Sequence, residues 1–312
     1  MDEVRLGLVG CGRLAERGYV EAIRRARGAR LVGLADREPR RCSAIAAALP
    51  SYSDPSELIA AGGLDAIVVA TPAAAHLEGA WLASEEGLPA LIEKPPAVES
   101  AQVAAMAALS KPPVFGFNRR FEPGIAKLRD RVPVGGDVEL SMELHHAGGS
   151  WRAYEVADDA LLTLGPHLID LAAWLTRSSV ERVRTLELSS EHVRLELSLG
   201  RGFTRISCRT QSTPRDLIQI HQGGALLAGY SARGIVRRGL RRLHRPFGAG
   251  ALVRSLALQL EAFISMVRGD GHDRVARAGD ALAVMATIEV ARRSAAAGGE
   301  WFALQPSAPS GG

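Results

Sequence analysis

Three short stretches of this 312-residue chain combine residue types that could do chemistry. The first is Gly10-Cys11-Gly12-Arg13-Leu14-Ala15, which follows the apolar run VRLGLV and opens an alanine-rich stretch. Gly10 permits a tight turn, Gly12 lets a phosphate approach the backbone, and Ala15 allows close helix–strand packing. The start of the helix that follows favours negative charge. Asp36 ends the next apolar run and can accept hydrogen bonds from ribose hydroxyls. Motif and context together point to a bound dinucleotide, contacted at Gly10, Gly12, Arg13, Leu14, Asp36 and Arg37. Asp36 favours NAD, because a carboxylate repels a 2′-phosphate. Arg37, Arg40 and Arg41 could neutralise such a phosphate and keep NADP open, although a solvated helix start is their simpler reading.

The second stretch is Glu93-Lys94-Pro95-Pro96, which stops the run ALIE abruptly. Glu93 closes a strand whose carboxyl end should open onto the cofactor crevice. A lysine there would stand beside the nicotinamide, and the prolines would fix the turn that aims it. Lys94-Pro95 is a candidate for a cis bond. The plainer alternative is a surface turn with an exposed lysine. The third stretch is Gly165-Pro166-His167, with Asp170 and Trp174 following at helical spacing on the histidine's face. A neutral His167 could take a proton from a hydroxyl as hydride leaves the same carbon. Otherwise it is a helix-start histidine bonding locally.

The elements that must carry these residues are legible as periodicity. Apolar runs at 4–10, 30–36, 65–70, 89–93 and 112–117 alternate with alanine-rich helical stretches at 14–27, 39–49, 74–86 and 98–109. Such alternation predicts βαβ units and a parallel sheet covered on both faces. Asp54-Pro55 marks a short helix start, with Asp54 as its cap. After residue 119 the pattern changes. DVELSMELHH (137–146) and HVRLELSL (192–199) alternate apolar with polar, and GFTRISC and RDLIQIH follow, all as half-exposed antiparallel strands. Helical stretches at 251–268 and 275–297 close the chain. The expected class is α/β, with a dinucleotide-binding domain over 1–118. An α+β domain with an open, mostly antiparallel sheet follows over 119–303, and 304–312 form a disordered tail.

Composition narrows the function classes. Net charge is +4, but RGIVRRGLRRLHR (233–245) holds six arginines and no acid, more than the whole excess. No general nucleic-acid affinity is expected. The arginines read as a solvated helix face or, failing that, a site for an anionic partner such as a phosphorylated sugar or an acidic membrane surface. No apolar run reaches the ~18 residues of a membrane span. The start has no basic n-region, and Cys11, Cys42 and Cys208 form no CxxC pair, so a reducing, cytoplasmic setting is expected. His145 and His146 point to opposite faces of a strand, and no cluster has ligand spacing; no metal is expected.

GLVGCGRLA, AIVVATPAAAH, LIEKP, GFNRRF and LGPHLIDLAAWL occur in this order and at a spacing that resembles the glucose–fructose oxidoreductase, inositol dehydrogenase and MocA family. The likeness runs over about residues 4 to 176, and SLALQLEAF resembles the family's C-terminal part. It implies a Rossmann domain followed by an open-sheet α+β domain, and hydride transfer between a nicotinamide cofactor and a sugar or cyclitol carbon. By that resemblance Lys94 bonds the reacting oxygen and His167 is the acid/base. Thr71, Pro72, His76, Glu93 and Lys94 line the cofactor; for His76 the alternative is a histidine on a helix surface. Asn118 and Arg119 match the Asn-Arg-Arg segment at the domain junction. Relatives often carry an aspartate four residues before the histidine, where this chain has Thr163. Substrate contacts then fall to Arg119, Thr163 and Asp170. Either the chemistry runs on Lys94 and His167, or Asp158 or Asp159 substitutes, or the chain is a cofactor-binding regulator without catalysis. Transient use of the cofactor, in glycoside cleavage or epimerisation, is a third reading. The expected partners are a small sugar-like molecule, phosphorylated or not, and further copies in a homodimer or homotetramer.

Overall fold

The computed structural model describes residues 3–147, 159–232 and 249–304. Asp158, the 233–245 arginine run and the 305–312 tail lie outside the described residues. The chain divides into two compact units, residues 1–122 with 244–281, and residues 123–243 with 282–312.

The first unit is built on parallel strands β1 (Val4–Val9), β2 (Ala29–Ala35), β3 (Ser51–Tyr52), β4 (Ala66–Val69), β5 (Ala90–Glu93) and β6 (Val114–Gly116), in the order β3-β2-β1-β4-β5-β6. Their runs are apolar because both faces are covered: Leu6, Leu8, Ile67, Val68, Leu91 and Ile92 have no exposed surface. The connections are α1 (Val20–Arg25), α2 (Pro39–Ala46), α3 (Pro55–Ala60), α4 (His76–Glu85) and α5 (Ser100–Ala107). Asp54 caps α3 by accepting the Ser56 N–H at 2.8 Å, as its position before Pro55 predicts. The helix expected over 14–27 is not uniform. Residues Ala15–Tyr19 form a π-helical turn that leads into α1.

The second unit holds α6 (Pro123–Arg129), β7 (Val138–His145), α7 (Ala160–Thr163), α8 (Gly165–Thr176), β8 (Val180–Leu188), β9 (His192–Leu199), β10 (Gly202–Arg209), β11 (Arg215–Gln222) and β12 (Ala225–Ser231). With the short β13 (Phe302–Ala303), the sheet order is β12-β11-β7-β10-β9-β8-β13. Val138, Leu140, Met142 and Leu144 face inward on β7, as the alternation requires. One pairing departs from the antiparallel expectation. β10 runs parallel to β7 in the centre of the sheet, because α7, α8 and the β8–β9 hairpin intervene before the chain returns.

The chain then re-enters the first unit as α9 (Ala249–Val267), and α10 (Ala278–Ala296) begins there and continues in the second. Residues 249–281 thus belong with the dinucleotide-type sheet rather than with the domain expected over 119–303. Gly18 is the contact that permits this. A Cβ there would lie 2.7 Å from a Leu256 methyl, so the bare glycine lets α9 lie close to the π-helical turn without displacing that side chain. By length and mean hydropathy Gly250–Val267 could cross a membrane, but Arg254 and Glu261 interrupt its apolar residues and half of it is buried inside the protein. Val253, Leu256, Leu260, Phe263 and Ile264 supply that buried face and join the core beneath β1 and α1.

Leu260 has no exposed surface. Leu260→Ala should therefore destabilise the protein by ~2–5 kcal/mol, the usual range for a buried leucine truncation. Urea unfolding measures this, and a loss well below 1 kcal/mol would mean that α9 is not part of that core.

Candidate functional site

All strands of the first sheet run the same way, so their carboxyl ends lie along one edge. Gly10, Asp36, Thr71, Lys94 and Asn118 each follow such an end, after β1, β2, β4, β5 and β6. Gly10 has φ +93°, and a Cβ on it would sit 2.7 Å from the backbone of Ala70 and Thr71. The turn therefore presses directly on the neighbouring strand end. A Cβ on Gly12 would meet nothing within 4 Å, so the loop is open on that side. Arg13 and Leu14 start the first helical turn and are half-buried.

Asp36 spans two loops. Its Oδ2 accepts the Cys11 N–H and its Oδ1 accepts the Glu38 N–H, both at 2.8 Å. The Arg41 guanidinium stands 3.7 Å from Oδ1 and pairs with Glu38 as well. Arg40 also pairs with Glu38, and Arg37 lies 3.8 Å from Glu78. Each arginine of the trio thus has a carboxylate beside it. Cys11 and Cys42 meet, with their sulfur atoms 3.2 Å apart, and burial pushes the Cys11 thiol far up.

Glu93 is buried at the end of β5. Its Oε1 accepts the Tyr19 hydroxyl at 2.5 Å and its Oε2 accepts the Lys94 N–H at 2.8 Å. Burial raises its pKa above the usual carboxylate range, while Tyr19 and Lys94 pull it down. Lys94 itself is half-buried, not the exposed turn lysine of the plainer reading, and the Lys94–Pro95 peptide is cis.

His76 is neither on a helix surface nor open to a ligand. It has no exposed surface, and its ring nitrogens face the carbonyl oxygens of Thr71 at 2.9 Å and Pro96 at 3.1 Å. The neutral imidazole has a single N–H and donates it to one of these carbonyls, and the ring packs between the turn after β4 and the turn after β5. Pro72 between them is exposed, and the Thr71 hydroxyl is buried with no hydrogen-bond partner among the described residues. Asn118 donates its side-chain N–H to Ser255 Oγ of α9 at 3.0 Å, so this amide holds the returning helix. Arg119 is buried beside it.

The remaining candidates lie in the second unit. Thr163 ends α7, and His167 lies half-buried in the first turn of α8, its backbone N–H donated to the Leu164 carbonyl. Leu168, Leu171, Ala172 and Leu175 form the apolar face. Asp170 and Trp174, expected on the other face, are buried as well, and the Arg129 guanidinium lies 4.5 Å from the Trp174 ring centre. Asp159 has other work: Oδ1 caps α7 at Leu162 N and Oδ2 pairs with Arg292 at 2.7 Å. Among the described residues no three His, Cys, Asp or Glu side chains gather for a metal.

The pairing of His76 has a pH consequence. Burial holds its pKa below the ordinary histidine value, with the backbone carbonyls opposing. The unfolded chain then takes up the proton first, so this contribution is full above the unfolded value of about 6.5 and is lost as pH falls below it. His76→Gln replaces the imidazole by a carboxamide that still donates a hydrogen bond but does not titrate. Its unfolding free energy should fall less steeply than the parent's between pH 6.5 and 5, and parallel curves in urea titrations would contradict this.

The residues present fit a nucleotide: a glycine turn open at Gly12, a carboxylate at the second strand end, and a buried hydroxyl at Thr71 with no partner among the described residues. Comparisons agree with that geometry. The model of an oxidoreductase family with an NAD-binding Rossmann fold, Gfo/Idh/MocA, matches residues 4–112. The rhizopine catabolism protein MocA of Rhizobium meliloti is 27% identical over 313 residues, covering 93% of this chain and 95% of that protein. Inositol 2-dehydrogenase 4 of Saccharopolyspora erythraea is 30% identical over 214 residues, covering 65% of this chain and 61% of that one. Among solved structures, myo-inositol dehydrogenase of Lactobacillus casei in complex with NAD(H) and myo-inositol superposes with a TM-score of 0.81. It is 18% identical, with 99% of each chain covered, and shares the fold. By the glycine turn, the sheet order, the matched family model and a relative aligned along nearly its whole length, this chain resembles the Gfo/Idh/MocA family of NAD-binding oxidoreductases.

Proposed function

We propose that the chain is an NAD-dependent dehydrogenase acting on a secondary hydroxyl of a cyclitol or sugar, with Lys94 and His167 handling the hydroxyl proton. The observation that carries this reading is the convergence of Gly10, Gly12, Asp36, Thr71 and Lys94 on adjacent strand ends, in a chain whose relatives include inositol 2-dehydrogenases. The bound nicotinamide would supply the hydride acceptor. Gly10 and Gly12 would admit the pyrophosphate, Asp36 would accept from the adenine ribose, and the Thr71 hydroxyl would meet the cofactor. Lys94 would donate a hydrogen bond to the reacting oxygen, lowering the cost of charge there. His167 would take the proton. Thr163 cannot hold a charge, and Asp159 is committed to a helix cap and to Arg292, so no carboxylate is assigned to this step.

The test is a panel of cyclitols, free sugars and sugar phosphates with NAD and with NADP, followed by nicotinamide absorbance and product mass. Turnover with a polyol supports the reading. Cofactor binding with no conversion across the panel would favour the regulator that Thr163 raises as an alternative, and conversion without net reduction would favour transient redox use.

Asp36→Ser removes both the ribose acceptor and the repulsion of a 2′-phosphate. Its NAD affinity should fall and its NADP affinity rise, as read by titration of each; an unchanged ratio would remove Asp36 from the ribose. Replacing Lys94 or His167 by alanine should lower kcat by ~10²–10⁴, the usual worth of a positioned acid or base. Full activity in His167→Ala would remove that residue from the mechanism.

A further inference from the structure

Tyr19 of the π-helical turn reaches the strand-end machinery with its side chain. It is completely buried, and its hydroxyl donates to Glu93 Oε1 at 2.5 Å. Behind it, Gln259 of α9, 1% exposed, donates to the same hydroxyl at 3.4 Å. On the other side, Glu93 Oε2 receives the main-chain N–H of Lys94. Gly116 of β6 closes the remaining side, where a Cβ would lie 2.9 Å from the Glu93 carboxyl. A single buried chain of hydrogen bonds therefore runs from α9 through the π-helical turn to the backbone of Lys94.

We propose that Tyr19, steadied by Gln259, is a positioning residue that keeps Glu93 ionised beneath Lys94 and so keeps the lysine in its ammonium form. This rests on the reading of Lys94 as a hydrogen-bond donor to the reacting oxygen. Burial disfavours the carboxylate, whereas a short phenol hydrogen bond and a backbone N–H both favour it. Tyr19 and Lys94 are the titratable groups that act on Glu93; α9 presents neutral Gln259, and β6 presents Gly116. The Tyr19 hydroxyl stays protonated, since burial and the adjacent Glu93 push its pKa well up. Without that hydroxyl, one of the two donors is lost, Glu93 takes up a proton, and Lys94 loses the negative charge with which it interacts there.

The chain has only three lysines, Lys94, Lys111 and Lys127, and the last two are exposed. Amine acetylation, read peptide by peptide by mass spectrometry, therefore follows Lys94 against two internal references and needs no substrate. In Tyr19→Phe the labelling rate of Lys94 relative to both references should rise on the order of tenfold at pH 8, because loss of a neighbouring opposite charge shifts an amine by roughly one unit or more. Gln259→Met should act in the same direction but less, and covers the case in which the phenylalanine variant does not fold. An unchanged ratio in whichever variant is folded would overturn the proposal. If a substrate turns over, the alkaline limb of its kcat/KM profile should move to lower pH in the same variant. If the panel shows no turnover at all, the proposed dehydrogenase fails while the labelling result still decides the role of Tyr19.

Discussion

The direction of the strands in the first sheet is the constraint on which the site depends. Residues as far apart as Gly10 and Asn118 could not meet through local structure. They share an edge because β1, β2, β4, β5 and β6 are all parallel and each ends just before one of them. That parallel arrangement in turn requires both faces of the sheet to be covered. On one side the cover includes α1 and the returning α9, fitted over Gly18.

Strand direction brings the loops together, and buried polar side chains lock them. Asp36 holds the backbone of the glycine turn, His76 joins the turns after β4 and β5, and Glu93 holds the main chain of the lysine it precedes. In each case a side chain satisfies a main-chain group that regular structure leaves unpaired. Leaving such a buried group without its partner costs ~1–3 kcal/mol. The same bonds that stabilise the unit therefore fix the geometry of its open edge. The Thr71 hydroxyl, buried and without a partner among the described residues, stands out against that pattern and is the position at which a ligand atom would complete the set.

Much of this was legible in the sequence because it is written locally. Apolar runs of five to seven residues marked five of the six parallel strands, and alternation marked β7 and β9. The Gly10-x-Gly12 turn and Asp36 announced themselves by position. What escaped depends on contacts across long separations. Tyr19 and Glu93 are 74 residues apart, Cys11 and Cys42 are 31 apart, and nothing in either spacing predicts a contact. His76 was placed against the cofactor by resemblance, yet its burial between two carbonyls is a tertiary property. The return of α9 to the first unit was hidden because an apolar helix declares that it is buried, not what buries it. The parallel β7–β10 pair was hidden for a similar reason: alternation fixes a strand's faces but not the direction of its neighbour.

The central claim is that the strand ends of the first sheet form one nucleotide-binding edge. Amide hydrogen exchange with and without saturating NAD tests it directly and needs no substrate. The account predicts added protection in the turns that follow β1, β2, β4 and β5, around Gly12, Arg37, Thr71 and Lys94, with the second unit's β8–β9 hairpin unchanged. Protection confined to other segments, or none at NAD concentrations that saturate binding, would contradict it.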